Sequence, residues 1–160
     1  MKKIFGGVVM MSLMVVLSLA PANAQAPEAG GSVNYGDFKS STLVGKAWEA
    51  LAKKDLQGVL TYTNKCIEMY GAQAKDMQGN LKDFVSGSKE EVFKQWALND
   101  VATSYYIQGK AYADAGQKDE ATKSYKEVID NYTYGQCWDP KGWFWKPSEA
   151  AQKDLDDLGK

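Results

Sequence analysis

The feature that most narrows the fold is an apolar seam of Leu60, Thr63, Ile67, Tyr70, Ala74, Met77, Leu81 and Phe84, whose steps alternate between three and four residues. Such steps keep side chains on one face of an α-helix and scatter them around a strand. Sustained over about seven turns, the seam predicts a long helix starting near Asp55, whose carboxylate suits an N-cap. Gly71 and Gly79 mark places where that helix can kink or break. The same period recurs on both sides. Ser41 is the expected cap of a first helix, with Leu43, Ala47, Ala50 and Leu51 on one face and Lys53-Lys54 near its C-terminal end. Ser88-Lys89-Glu90-Glu91 fits a capping box that opens a third helix, with Phe93, Ala97, Val101, Tyr105 and Tyr112 along one face and a stop at Gly116-Gln117. A fourth helix is expected over Lys118 to Tyr132, with Ala121, Tyr125, Val128 and Ile129 inward. Ser148, just after Pro147, is the expected cap of a last short one, Glu149 to Leu158. No stretch alternates with period two, so the expected class is all-α.

Two segments align without a gap. Lys54-Asp55-Leu56-Gln57-Gly58-Val59, running on to Cys66-Ile67-Glu68-Met69-Tyr70, matches Gly116-Gln117-Lys118-Asp119-Glu120-Ala121, running on to Val128-Ile129-Asp130-Asn131-Tyr132. In the second copy, Tyr105, Gly109, Tyr112, Ala121, Tyr125 and Val128 supply a large, Gly, aromatic, small, aromatic and small series. That series resembles the tetratricopeptide repeat. The first copy is degenerate, with Ala47 for the Gly, Val59 for the Ala and Cys66 for the second small residue. The resemblance implies antiparallel helix pairs closed by a short C-terminal capping helix. The spacing departs from the family: Val59 and Ala121 stand 62 apart, against about 34 for adjacent repeats. The excess suits an extended central hairpin made by the second and third helices. The tail Cys137-Trp138-Asp139-Pro140-Lys141-Gly142-Trp143-Phe144-Trp145-Lys146-Pro147, with Trp96 to Tyr106 upstream, resembles small exported tetratricopeptide-like proteins of Gram-negative bacteria. Some members of that group carry a glucanase-type label.

The N-terminus reads as an export signal. Met1-Lys2-Lys3 is basic, Ile4 to Leu19 is apolar and uncharged, and Ala22-Asn23-Ala24 follows Pro21 in the small-x-small pattern of a cleavage site. Residues 1–24 are the expected signal peptide, cut between Ala24 and Gln25, which implies a periplasmic or secreted protein. The membrane is met only through that segment before cleavage. Residues 25–40, with Pro27, Gly30, Gly31 and Gly36 and no apolar period, read as a flexible tether. Residues 41–160 are the expected helical repeat-like domain.

Composition removes several chemistries. The chain contains neither His nor Arg, and all 19 basic residues are Lys. Ser-His and Cys-His hydrolysis, His-ligated zinc and arginine-finger chemistry are therefore closed to it. Without Lys2 and Lys3 the net charge is −3, which argues against a nucleic-acid partner. No cofactor or metal site is expected, and no catalytic residue is assigned. Carboxylate-pair chemistry stays open, with Asp100 or Asp139 as its candidates. Asn99 and Asp100 interrupt the apolar face between Leu98 and Val101; as a buried acid Asp100 would titrate high, and as a surface residue it would do nothing. Asp139 reads as a turn residue before Pro140.

Two further features are candidates for function. Cys66 and Cys137 are either an oxidised pair, which an exported chain can form, or two packed thiols. Tyr134, Trp138, Trp143, Phe144 and Trp145 crowd one short segment. They are either a recognition surface for a protein, peptide or sugar ring, or a plug over the open end of the repeat stack. The alternation Trp143-Phe144-Trp145 predicts that Phe144 and Trp138 face inward and that Trp143 or Trp145 faces out. The function these features imply is a binding or scaffold module for a protein or peptide partner, in envelope assembly. The alternatives are a glycan-binding protein or carboxylate-dependent glycosidase built on the tail aromatics, and a dimeriser acting through the long hairpin.

Overall fold

The computed structural model describes residues 32–139 and 141–159. The expected signal peptide and the first part of the expected tether lie outside the described residues. The domain from Val33 onward is all-α apart from one small hairpin. Its elements are α1 (Ser40–Ala52), α2 (Leu56–Gly79), α3 (Lys89–Phe93), α4 (Trp96–Asp114), α5 (Lys118–Asn131), β1 (Cys137–Asp139), β2 (Trp143–Trp145) and α6 (Pro147–Leu158).

Helix α4 packs most extensively against α2 and also against α1, α5 and α6, while α1 packs on α2 and α5 on α6. The core sits where these faces meet. Leu43, Ala47, Val59, Cys66, Leu98, Val101, Ile107, Ala121 and Val128 are all fully shielded from water. Small residues set the helix separation. A Cβ on Gly109 of α4 would stand 2.3 Å from the Tyr125 ring of α5, and Tyr125 itself is 1% exposed. Ala47 of α1 and Thr63 of α2 are both buried; Gln108 donates to the Thr63 hydroxyl at 2.9 Å. Tyr105 and Tyr112 are half-buried at the edges of the core; Tyr105 stacks on Tyr132 with ring centres 5.4 Å apart.

Four local expectations need correction. The seam from Leu60 ends as a helix at Gly79, and Leu81 and Phe84 follow in a loop while still packing inward, Phe84 edge-on to Tyr134. The expected third helix is two. The Val92 carbonyl accepts from the Gln95 N–H and from the Asn99 side-chain amide at 3.0 Å, so it is not available to continue the ladder. The returning arm of the extended hairpin is thus broken into α3 and α4, and Phe93 is exposed. Three serines expected as caps make no side-chain cap bond. Ser88 stands at the N-cap of α3 without one. Ser41 is the second residue of α1, whose N-cap is Lys39 without a side-chain bond; Ser40, which opens the helix, donates its hydroxyl to Asp100, and the Ser148 hydroxyl donates to the Thr133 carbonyl. Asp55 does cap α2, accepting from Gly58 N–H at 2.9 Å.

The fourth correction is the tether, whose last residues are anchored. Tyr35 packs edge-on to Tyr62, and the Phe38 carbonyl accepts from the Tyr70 hydroxyl at 3.0 Å. Gly36 has φ of 73°, and its N–H bonds the Asn34 side chain, which closes the turn that brings Tyr35 and Phe38 down onto α2.

Candidate functional site

Helices α1 and α4 each carry a second stripe beside their core stripe. On α1 it is Ser41, Val44 and Trp48, and on α4 it is Trp96, Asp100, Thr103 and Tyr106; steps of three and four keep each set in line. The two stripes face a common groove. Its third side is the β1–β2 hairpin, an antiparallel ribbon in which Cys137 pairs with Trp145, Trp138 with Phe144 and Asp139 with Trp143. No period-two signal was legible there because each strand is three residues long.

Two side chains of α4, Asn99 and Thr103, tie the hairpin down. Asn99 is buried, and its amide nitrogen donates to Val92 O at 3.0 Å while its oxygen accepts from Gln136 N–H at 2.9 Å. The Thr103 hydroxyl donates to Asn99 O at 2.8 Å and sits 2.8 Å from the Cys137 sulfur. The polar pair expected to interrupt the apolar face therefore divides its work. Asn99 ties the hairpin to α4, and Asp100 lines the groove.

Rings form the groove walls. Trp145 lies 6.4 Å from Trp48 and 5.5 Å from Tyr106, centre to centre, and Trp48 lies 6.2 Å from Tyr106. On the other face of the ribbon, Phe144 packs between Trp138 at 5.0 Å and Phe93 at 6.0 Å. Trp96 closes the far side, edge-on to Tyr70 at 5.3 Å. Between these walls is an inner pocket of about 330 Å³, with Trp48, Trp96, Asp100, Gln136, Trp138 and Trp145 in its lining. An outer shelf continues past Tyr106, Asp139 and Trp143. A shallower extension runs toward Lys39 and Tyr70.

The tail aromatics do not plug the end of the helix stack. That end is covered by α6, whose Ala151 is fully buried against the core. Trp143 is 49% exposed on the shelf, whereas Trp138, Phe144 and Trp145 are half-buried. Burial along β2 does not alternate: Trp143 is exposed, and Phe144 and Trp145, on opposite faces of the ribbon, are both half-buried. Tyr134 is not part of the groove: its ring packs on Phe84 and its N–H bonds the Gln78 side chain at 3.0 Å.

Asp100 is the one carboxylate lining the inner pocket. Burial raises its pKa above the ordinary aspartate value, opposed by the hydrogen bond from Ser40. Asp139 lies on the shelf, and its carboxylate accepts the Lys141 N–H at 2.8 Å across the hairpin turn. Cys66 and Cys137 are free thiols. Each is pushed up to about 12, mainly by burial, with Ser104 bonding the first and Thr103 the second. Consecutive helix residues point about 100° apart, so the two sulfurs lie around α4 from one another and not in bonding range. Among the described residues no three His, Cys, Asp or Glu side chains converge as metal ligands would.

Sequence reasoning reached Trp138, Trp143, Trp145 and Asp100, and missed Trp48, Trp96, Tyr106 and Gln136. The available signal was the second stripe on α1 and α4, which makes each helix apolar on two faces, as a helix with two neighbours is. No protein-family model, curated protein or solved structure matches the chain.

Proposed function

We propose that this chain is an exported tetratricopeptide-type binding module whose groove receives a peptide segment of a partner protein, in the bacterial envelope. The export reading rests on the Ala22-Asn23-Ala24 box after an apolar run. The repeat reading is supported by two helix pairs laid side by side, by the close approach of Gly109 to Tyr125, and by α6 covering the end of the stack. Repeats of this kind leave the first helix of each pair on one surface, and here α1 and α4 share the groove.

The observation that carries the binding reading is the groove lining: four tryptophans with a single carboxylate in the inner pocket. Large rings with few polar groups give area and orientation to a bound chain. Glycoside hydrolysis uses two carboxyl groups flanking one bond, and the inner pocket offers Asp100 alone. A second reading, a glycan, is favoured by the outer shelf, where the exposed face of Trp143 stands beside Asp139. Titration of tryptophan fluorescence with a mixed peptide library and with soluble oligosaccharides separates the two. The expected result is a response to peptides that Trp96→Ala abolishes. A response to oligosaccharides alone, lost in Trp143→Ala, would replace the peptide with a sugar.

A further inference from the structure

We propose that the inner pocket takes an arginine side chain of the bound segment, with the guanidinium between the tryptophan rings and its N–H groups on Asp100 and Gln136. This rests on the reading of the groove as a peptide site, and it follows from which hydrogen-bonding groups the pocket leaves over. Asn99 has both ends of its amide engaged, Thr103 donates to a backbone carbonyl, and the Ser40 hydroxyl is committed to one oxygen of Asp100. Besides the Ser41 hydroxyl, two side-chain acceptors remain. One is the rest of the Asp100 carboxylate. The other is the side-chain oxygen of Gln136, a pocket-lining residue; this oxygen has no hydrogen-bond partner and is shielded from water in the empty groove, so the amide turns toward the pocket when a donor enters. A buried acceptor left unpaired is unfavourable, so a ligand that supplies donors recovers that loss.

The remaining surface is aromatic, and ring faces are electron-rich and attract cations. No Lys lines the inner pocket, so the chain does not neutralise Asp100 there. At the rim the attraction is already in use: the Lys89 ammonium lies 3.8 Å above the Trp138 ring and 5.3 Å from that of Phe93. A group that lies flat between rings and offers several donors in a plane to two separate acceptors is a guanidinium; an ammonium is a point donor that cannot stack. The chain contains no arginine, so a second copy of itself cannot fill the pocket, and the arginine comes from another protein.

The test uses the mature protein and blocked tripeptides Gly-Arg-Gly, Gly-Lys-Gly and Gly-citrulline-Gly, followed by NMR through the tryptophan indole N–H signals. The arginine peptide is expected to shift the signals of Trp48, Trp96, Trp138 and Trp145. Lysine should bind more weakly, and citrulline, of the same shape without the charge, at least tenfold more weakly. Asp100→Asn should weaken the arginine peptide at least tenfold, and Gln136→Met should weaken it with the tryptophan spectrum of the free protein unchanged. Equal binding of arginine and citrulline, or an arginine affinity indifferent to Asp100→Asn, would overturn the inference. Binding of a neutral apolar peptide with no response to arginine would overturn it and leave the peptide groove standing. A response to oligosaccharides and to no peptide would remove both.

Discussion

Gly109→Ala is the sharpest test of how closely α4 and α5 approach. The new methyl would lie 2.3 and 2.4 Å from two ring carbons of Tyr125 and 2.9 Å from a third. Ordinary contact begins near 3.4 Å, so the ring or the helix must give way by about 1 Å. The ring has nowhere to go, being 1% exposed with the Tyr106 ring centre 6.1 Å away. Overpacking of this kind costs about 1–3 kcal/mol, and a rigid buried neighbour points to the upper half of that range. Against it stands the gain of about 1 kcal/mol for alanine over glycine inside a helix. The net expectation is a loss of about 1–2 kcal/mol, or roughly 4–8 °C in melting temperature for a domain of this size. Gly45, on the exposed face of α1 with nothing within 4 Å of its would-be Cβ, is the matched control. Gly45→Ala should gain about 0.5–1 kcal/mol by the same propensity. Urea unfolding of both variants measures the difference. In a Tyr125→Leu background, which clears the ring, Gly109→Ala should lose its penalty, a coupling that a double-mutant cycle reads directly. If Gly109→Ala proves as stable as the parent, α4 and α5 are not held at the separation the structure gives them.

Three further outcomes are expected. Asp100 is raised above 3.8 in the folded state, so the folded protein holds its proton to higher pH than the unfolded chain, and stability falls as pH rises through that window and stays lower above it. Asp100→Asn should therefore melt higher than the parent near neutral pH and lose that advantage below pH 3.8; an advantage independent of pH would contradict the burial of the carboxylate. Trp143→Ala should leave stability within about 0.5 kcal/mol, whereas Trp145→Ala, which empties the contact with Trp48 and Tyr106, should cost about 2–3 kcal/mol; equal losses would contradict the difference in burial between the two rings. Exported protein should have an intact mass beginning at Gln25; a mass retaining residues 1–24 would refute the cleavage reading.

The helices were legible wherever a single face meets the core. Helix α5 occupies Lys118–Asn131 against an expectation of Lys118 to Tyr132, because Ala121, Tyr125 and Val128 repeat at helical spacing beneath a charged surface. The cap at Asp55 was legible because it is a contact three residues long. The break at Val92 was not, since the side chain that ends α3 comes from seven residues ahead. Nor was the groove. Its acid is joined to Ser40 across 60 residues of sequence, and its walls come from α1, α4 and a ribbon too short to show a period. The tryptophans of the tail could be counted in the sequence, but Trp48 and Trp96, the rings they face, are placed by tertiary packing.

Asn99 gives the groove a mechanical property. One amide group joins the end of α3 to the base of the β1–β2 ribbon, so the two flanks carrying Phe93 and Trp138 hang from the same latch. Neither flank can swing out without releasing that amide. The aperture therefore opens as a single cooperative unit, and the N–H of Gln136 on one flank and of Gln95 on the other should share one rate of hydrogen exchange.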